Sequence, residues 1–172
     1  MRSATIDDIK NELKQLPPKK VLDLTLRLAR FKKENKELLT YLLFEAHDEQ
    51  GYIQLLKADI DESFAAVDAP MSKAKKEYRK ILRGINRQIK YIGSKSSAVE
   101  LYLHYCTVMR NLDNHLHPKL EVIYQQQLNK VEKLIPLVDE DLQFEYTQQL
   151  ESLKIDNPKP ASKFRKRFFG FR

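Results

Sequence analysis

Glycine and proline are scarce in this chain. With 4 glycines and 7 prolines in 172 residues, it lacks the turn residues a β-sandwich or barrel needs, so long helices with few connections are the economical reading. Neither GxGxxG nor GxxxxGK occurs, which excludes the usual glycine-built phosphate cradles. A single cysteine, Cys106, excludes an internal disulfide and the disulfide framework of a small secreted domain. No window approaches the roughly 18 apolar residues that a membrane span requires. The opening MRSATIDDIKNELK turns acidic and amphipathic without the apolar core of a signal peptide. These absences point to a cytoplasmic protein.

What is present suits one helical domain. Apolar residues make up 42% and charged residues 32%, too apolar for a disordered chain and charged enough for a well-solvated surface. The net charge of +7 is concentrated at one end. Residues 155–172 carry Lys159, Lys163, Arg165, Lys166, Arg167 and Arg172 against Asp156, a balance of +5, which leaves +2 for residues 1–154. The overall basicity therefore says little about partners of the body.

Apolar spacing lays out seven or eight helices. Thr5 with Asp8 reads as a capped start for a short helix through about Gln15, and Pro17-Pro18 ends it and pre-sets the next turn. Leu22, Leu24, Leu26 and Leu28 alternate like a strand. Val21, Leu24, Leu28 and Phe31 fit a helix, and helix-forming Leu, Arg and Lys decide for it. Leu38, Leu39, Leu42, Leu43 and Ala46 mark a third helix, with Gly51 placed to close it. A fourth carries Ile53, Leu56, Ile60, Phe64 and Val67. After the break at Asp68-Ala69-Pro70, Ser72 caps a fifth, with Ala74, Tyr78, Ile81, Ile85, Ile89 and Ile92 inward and Gly93 at its end.

Ser97 with Glu100 reads as a capping box for a sixth helix bearing Tyr102, Tyr105, Cys106, Met109, Leu112 and Leu116. Beyond Pro118 a seventh turns Leu120, Ile123, Leu128, Val131 and Leu134 inward. Pro136 interrupts, and Asp139 caps an eighth with Leu142, Tyr146, Leu150 and Leu153. The pattern stops at Ile155, where NPKPAS has linker chemistry. The division is a helical domain, 1–154, and a basic-aromatic tail, 155–172. Such helices pack as an antiparallel bundle or as a short armadillo-like stack of hairpins. No residue signature recurs between hairpins, so a strict repeat is not supported.

The opening IKNELKQLPPKKVLDLTLRLARFKKENKELLTYLLF resembles the start of some uncharacterised bacterial all-helical families, which begin with a short helix, a Leu-Pro break and a Leu-rich hairpin. The resemblance implies an all-α fold and no functional residue.

Two segments stand out as candidate partner or anion-binding sites. In the tail, Phe164, Phe168, Phe169 and Phe171 are interleaved with Lys163, Arg165, Lys166, Arg167 and Arg172. Cations there attract phosphates, and the rings suit a lipid interface, stacked bases or a groove on another protein. Alternatively the rings fold back to cap the bundle's own end. On the fifth helix Lys75, Arg79, Arg83 and Arg87 recur every four residues. That spacing suits a row of phosphates, or a solvated face partly neutralised by Asp59, Asp61 and Glu62.

Other constellations carry less. Asp113, His115 and His117 have metal-binding atoms, but His-x-His on a helix points its rings about 200° apart, so both reach one ion only where the helix has ended. Glu45, His47, Asp48 and Glu49 read as a polar helix end. Asp59 and Asp61, two apart, fall on different faces. Cys106 sits on an apolar face as a small hydrophobe. No nucleophile has an orienting base, and no metal or cofactor is expected. The sequence thus points to a non-enzymatic interaction or scaffold protein, engaging a protein partner or a second copy through its surface or tail. The alternative is a nucleic-acid-binding accessory protein, and a third reading is attachment to an anionic membrane. No small-molecule substrate is expected.

Overall fold

The computed structural model describes residues 3–67, 71–112 and 117–155, and every regular element among them is helical. The described residues form eight α-helices: α1 (Ile6–Gln15), α2 (Pro18–Phe31), α3 (Lys33–Thr40), α4 (Glu49–Ala65), α5 (Met71–Ile92), α6 (Lys95–Leu112), α7 (Pro118–Leu134) and α8 (Glu140–Ile155). A π-turn, Tyr41–Glu45, continues α3, and a 3-10 turn, Ile135–Leu137, joins α7 to α8 at Pro136. No helix among the described residues is long and apolar enough to cross a membrane.

Helices α4 to α8 form the bundle, wrapped around α6. Leu101, Tyr102, Leu103, Tyr105, Cys106 and Met109 are all buried on α6, and a helix buried around most of its circumference belongs in the middle of a packed domain. It packs on α4, α5, α7 and α8. Ile53, Leu56, Ile60 and Phe64 enter from α4, Ala74 and Ile85 from α5, Leu120, Ile123, Leu128 and Val131 from α7, and Tyr146, Leu150 and Leu153 from α8. Ile81 and Ile89 pack against this core half-buried.

Tyrosine hydroxyls tie the helices to one another. Tyr52 donates to Gln88, Tyr102 to Asn86 at 2.6 Å, Tyr105 to the Tyr78 carbonyl, Tyr124 to the Leu153 carbonyl at 2.9 Å and Tyr146 to Glu100. Each ring is buried or half-buried while its polar tip reaches a neighbouring element, which removes the cost of an unsatisfied hydroxyl. Burial pushes the Tyr124 phenol up to about 12, so it stays a donor at neutral pH.

Several local signals act differently from their sequence reading. Thr5 and Asp8 do form a reciprocal capping box, whose hydrogen bonds to Thr5 hold the Asp8 carboxyl below its usual range. Gly51 does not close the third helix. It lies in the first turn of α4, where its N–H donates to the Asp48 side chain, and a Cβ there would collide with that carboxylate. Ser97 is not the cap of α6, because Ser94 stands one residue before the helix and its hydroxyl accepts from the Ser97 N–H. Ser97 is instead buried and hydrogen-bonded to Glu49, while Glu100 pairs with Lys57 at 2.9 Å and accepts from Tyr146. Leu112, expected inside, is exposed. The helical break at Gly93 stands, with φ at 77° in the region glycine tolerates. The Asp68–Pro70 break, the Ser72 side chain and Leu116 lie outside the described residues.

The largest departure concerns the first 45 residues. No side chain of α1, α2 or α3 is buried. Their apolar stripes do not join the interior, and these elements form an arm beside the bundle.

Candidate interaction site

On α5 the spacing of four does not hold its cations on one face. Each step of four overshoots a turn by about 40°, so three steps separate Lys75 from Arg87 by about 120°. Lys75 is half-buried, Arg79 and Arg83 are exposed, and Arg87 turns toward the arm. There its Nε lies 3.1 Å from Glu37 Oε2, an ion pair not aligned as a hydrogen bond. Among the described residues no ion pair reaches Lys75, Arg79 or Arg83. Of the acids expected to neutralise the stripe, Asp61 is engaged by His104, 2.7 Å away.

A second row was missed. Lys73, Lys80 and Arg87 are seven apart and stay in register along the helix. They edge a groove of about 690 Å³ between α4 and α5, with Leu56, Ile60, Ile81 and Ile85 at its base and Asp59 and Glu77 among the cations. Gly84 lines the groove, and no atom lies within 4 Å of where its Cβ would stand. Spacing of seven in a helix already assigned was the signal that could have found this row.

The arm presents the larger apolar surface. Ile6, Ile9 and Leu13 on α1, Leu16 just past its end, Leu22, Leu24, Leu26, Leu28 and Phe31 on α2, and Leu42, Leu43 and Phe44 on the π-turn are all exposed, Ile6 and Phe31 by 79% and 75%. Summed over the three elements and both sides of α2 they show on the order of 1,000 Å² of apolar surface. Helices α2 and α3 meet after one extended residue, Lys32, and Asn35 Nδ2 donates to the Leu28 carbonyl at 2.9 Å across the bend. Between them runs a groove of about 350 Å³ lined by Leu26, Ala29, Leu39, Leu43 and Phe44, with Arg30 and Lys36 beside it.

The arm is fastened at its base. Tyr41 stands where α3 passes into the π-turn, on the same side of the helix as the half-buried Glu37 and Leu38 one turn before it. Tyr41 is only 5% exposed and rests on Tyr52 with ring centroids 5.0 Å apart. One turn before it, Glu37 accepts from the Tyr91 hydroxyl at 3.0 Å and pairs with Arg87 and Lys33. Burial and the Glu37 carboxylate push the Tyr91 phenol up to about 12, which keeps it donating.

The tail residues Lys163, Phe164, Arg165, Lys166, Arg167, Phe168, Phe169 and Phe171 lie outside the described residues, as do Asp113 and His115. His117 is described and already has an interaction partner. No cluster of His, Cys, Asp or Glu suited to a metal occurs among the described residues. Cys106 is fully buried, and burial raises its thiol pKa well above the usual value, which disfavours the thiolate. Compared with protein-family models, curated proteins and solved structures, the chain matches none.

Proposed function

We propose that this protein is a non-enzymatic interaction or scaffold protein that binds another protein chain, and that the α1–α3 arm is its contact surface. The observation that carries this reading is the arm's exposed apolar surface, held beside the bundle by Tyr41 and Glu37. Exposed apolar surface on this scale has a cost in water that a partner removes. The main core cluster of the bundle has no member before Ile53 among the described residues, and the one buried side chain at the arm's base, Tyr41, rests on Tyr52 at its edge.

A second reading is nucleic-acid binding through α5, favoured by the exposure of Arg79 and Arg83 and the loss of Asp61 to His104. One set of variants separates the two. Leu28→Glu with Leu43→Glu should remove a bound protein while leaving the circular dichroism unchanged, because both side chains are already exposed. Charge reversal at Arg79 and Arg83 should leave that protein bound. Binding of nucleic acid that weakens steeply with salt and vanishes on charge reversal would move the assignment to α5. Capture that persists with the arm altered and disappears on removal of residues 163–172 would move it to the tail.

A further inference from the structure

We infer that the arm's partner is a second copy of this chain, with α1 of each copy seated in the α2–α3 groove of the other. The inference rests on the reading of the arm as a contact surface and names its occupant.

The two halves of the contact match in shape and charge. Helix α1 carries Ile6, Ile9 and Leu13, with Leu16 just past its end, three and four apart, a narrow apolar edge of the kind that fills a helical groove. Asp7, Asp8 and Glu12 outnumber Lys10 and Lys14 on the same helix. The receiving groove is apolar along Leu26, Leu39 and Leu43 and basic beside them at Arg30 and Lys36. Glu37 on α3 is held by Arg87, Lys33 and Tyr91, on the side of the arm that meets the bundle.

In its own chain α1 buries no side chain. Its connection explains the separation. Leu16 and Pro17 are both extended, and the ring of Pro17 restrains the preceding residue as well as its own φ. A rigid two-residue step leading α1 away from α2 favours an exchange between copies over a fold-back. Reciprocal exchange closes under a two-fold axis, so no edge is left to propagate. The α1 edge (Ile6, Ile9, Leu13, Leu16) and the exposed groove residues Leu26, Leu43 and Phe44 offer on the order of 700 Å² per chain, near the roughly 800 Å² each partner contributes to a standard interface.

Sedimentation equilibrium of the full chain tests this directly. Intact protein at micromolar concentration is expected to have twice the 20.3 kDa chain mass. Ile9→Asp with Leu13→Asp, on α1, and Leu43→Asp, in the groove, should each weaken dimerisation roughly a hundredfold, with helical content preserved. Mixing the two variants should restore part of the affinity, because the mixed dimer keeps one unaltered α1 in one unaltered groove. A monomeric intact chain overturns the inference. So does a dimer indifferent to these variants, or one that shows no recovery on mixing. A monomer whose arm still captures a different protein would end self-association alone, and the contact reading would stand. A monomer with no arm-dependent partner would end both.

Discussion

Gly84 is the residue at which local propensity and position disagree most. It stands in the middle of a 22-residue helix, where glycine is a poor helix former, yet its backbone is ordinary and nothing crowds the place of a Cβ. The absent side chain widens the α4–α5 groove. Gly84→Ala is therefore expected to stabilise the protein by about 0.5–1 kcal/mol, seen as a higher urea midpoint at unchanged slope. A loss of stability would mean that α5 bends or repacks at this point. Gly51 should respond in the opposite sense, since its missing Cβ makes room for the capping Asp48 carboxylate. Two glycines inside helices thus serve different ends, and the flanking letters alone do not separate them. Ser97 teaches the same lesson. Its spacing to Glu100 is that of a capping box, but Ser94 takes the cap and releases both residues to bind Glu49, Lys57 and Tyr146.

At the scale of elements, periodicity reported which segments are helical and left their burial undetermined. The apolar rows of α1 and α2 have the same spacing as those of α4 and α7, and only the latter meet a core. A stripe records that a helix has an apolar side, whatever covers it. The alternating leucines of α2 become intelligible here, since Leu22, Leu24, Leu26 and Leu28 encircle an arm helix that no bundle surrounds. The cationic stripe was legible as composition, but its geometry required the drift of each step around α5. Tyr41 lies one turn after Glu37 and Leu38 on the half-buried side of α3, and nothing in its spacing set it apart from Leu42, Leu43 and Phe44, which follow it and are exposed. Its position gives a prediction. Tyr41→Ala should weaken the arm's attachment by about 3 kcal/mol, the usual penalty for deleting a buried ring. Hydrogen exchange should then accelerate through α3 by roughly a hundredfold, while the amides of Leu103, Tyr105 and Cys106 stay as protected as before. Equal acceleration in α6 would show that arm and bundle open as one unit.

The whole molecule combines a bundle complete in itself with an arm whose apolar surface it leaves open. Every member of the main core cluster lies between Ile53 and Leu153, and Tyr52 is the earliest residue packed against it. A chain beginning at Asp48 would keep the capping carboxylate of α4, all of that cluster and the Lys57–Glu100–Tyr146 tie. It loses the Tyr41–Tyr52 ring contact and the Glu37 cluster, which together carry the roughly 3 kcal/mol that fastens the arm. The shortened chain is still expected to unfold cooperatively, with a denaturation midpoint below that of the full chain. The exchange of α1 adds a sharper expectation. Dimerisation stabilises the folded state by mass action, so the full chain's midpoint should rise with protein concentration and the shortened chain's should not. Calorimetry of both across a wide concentration range measures this, and a shortened chain that melts without cooperativity would place the arm inside the folding unit.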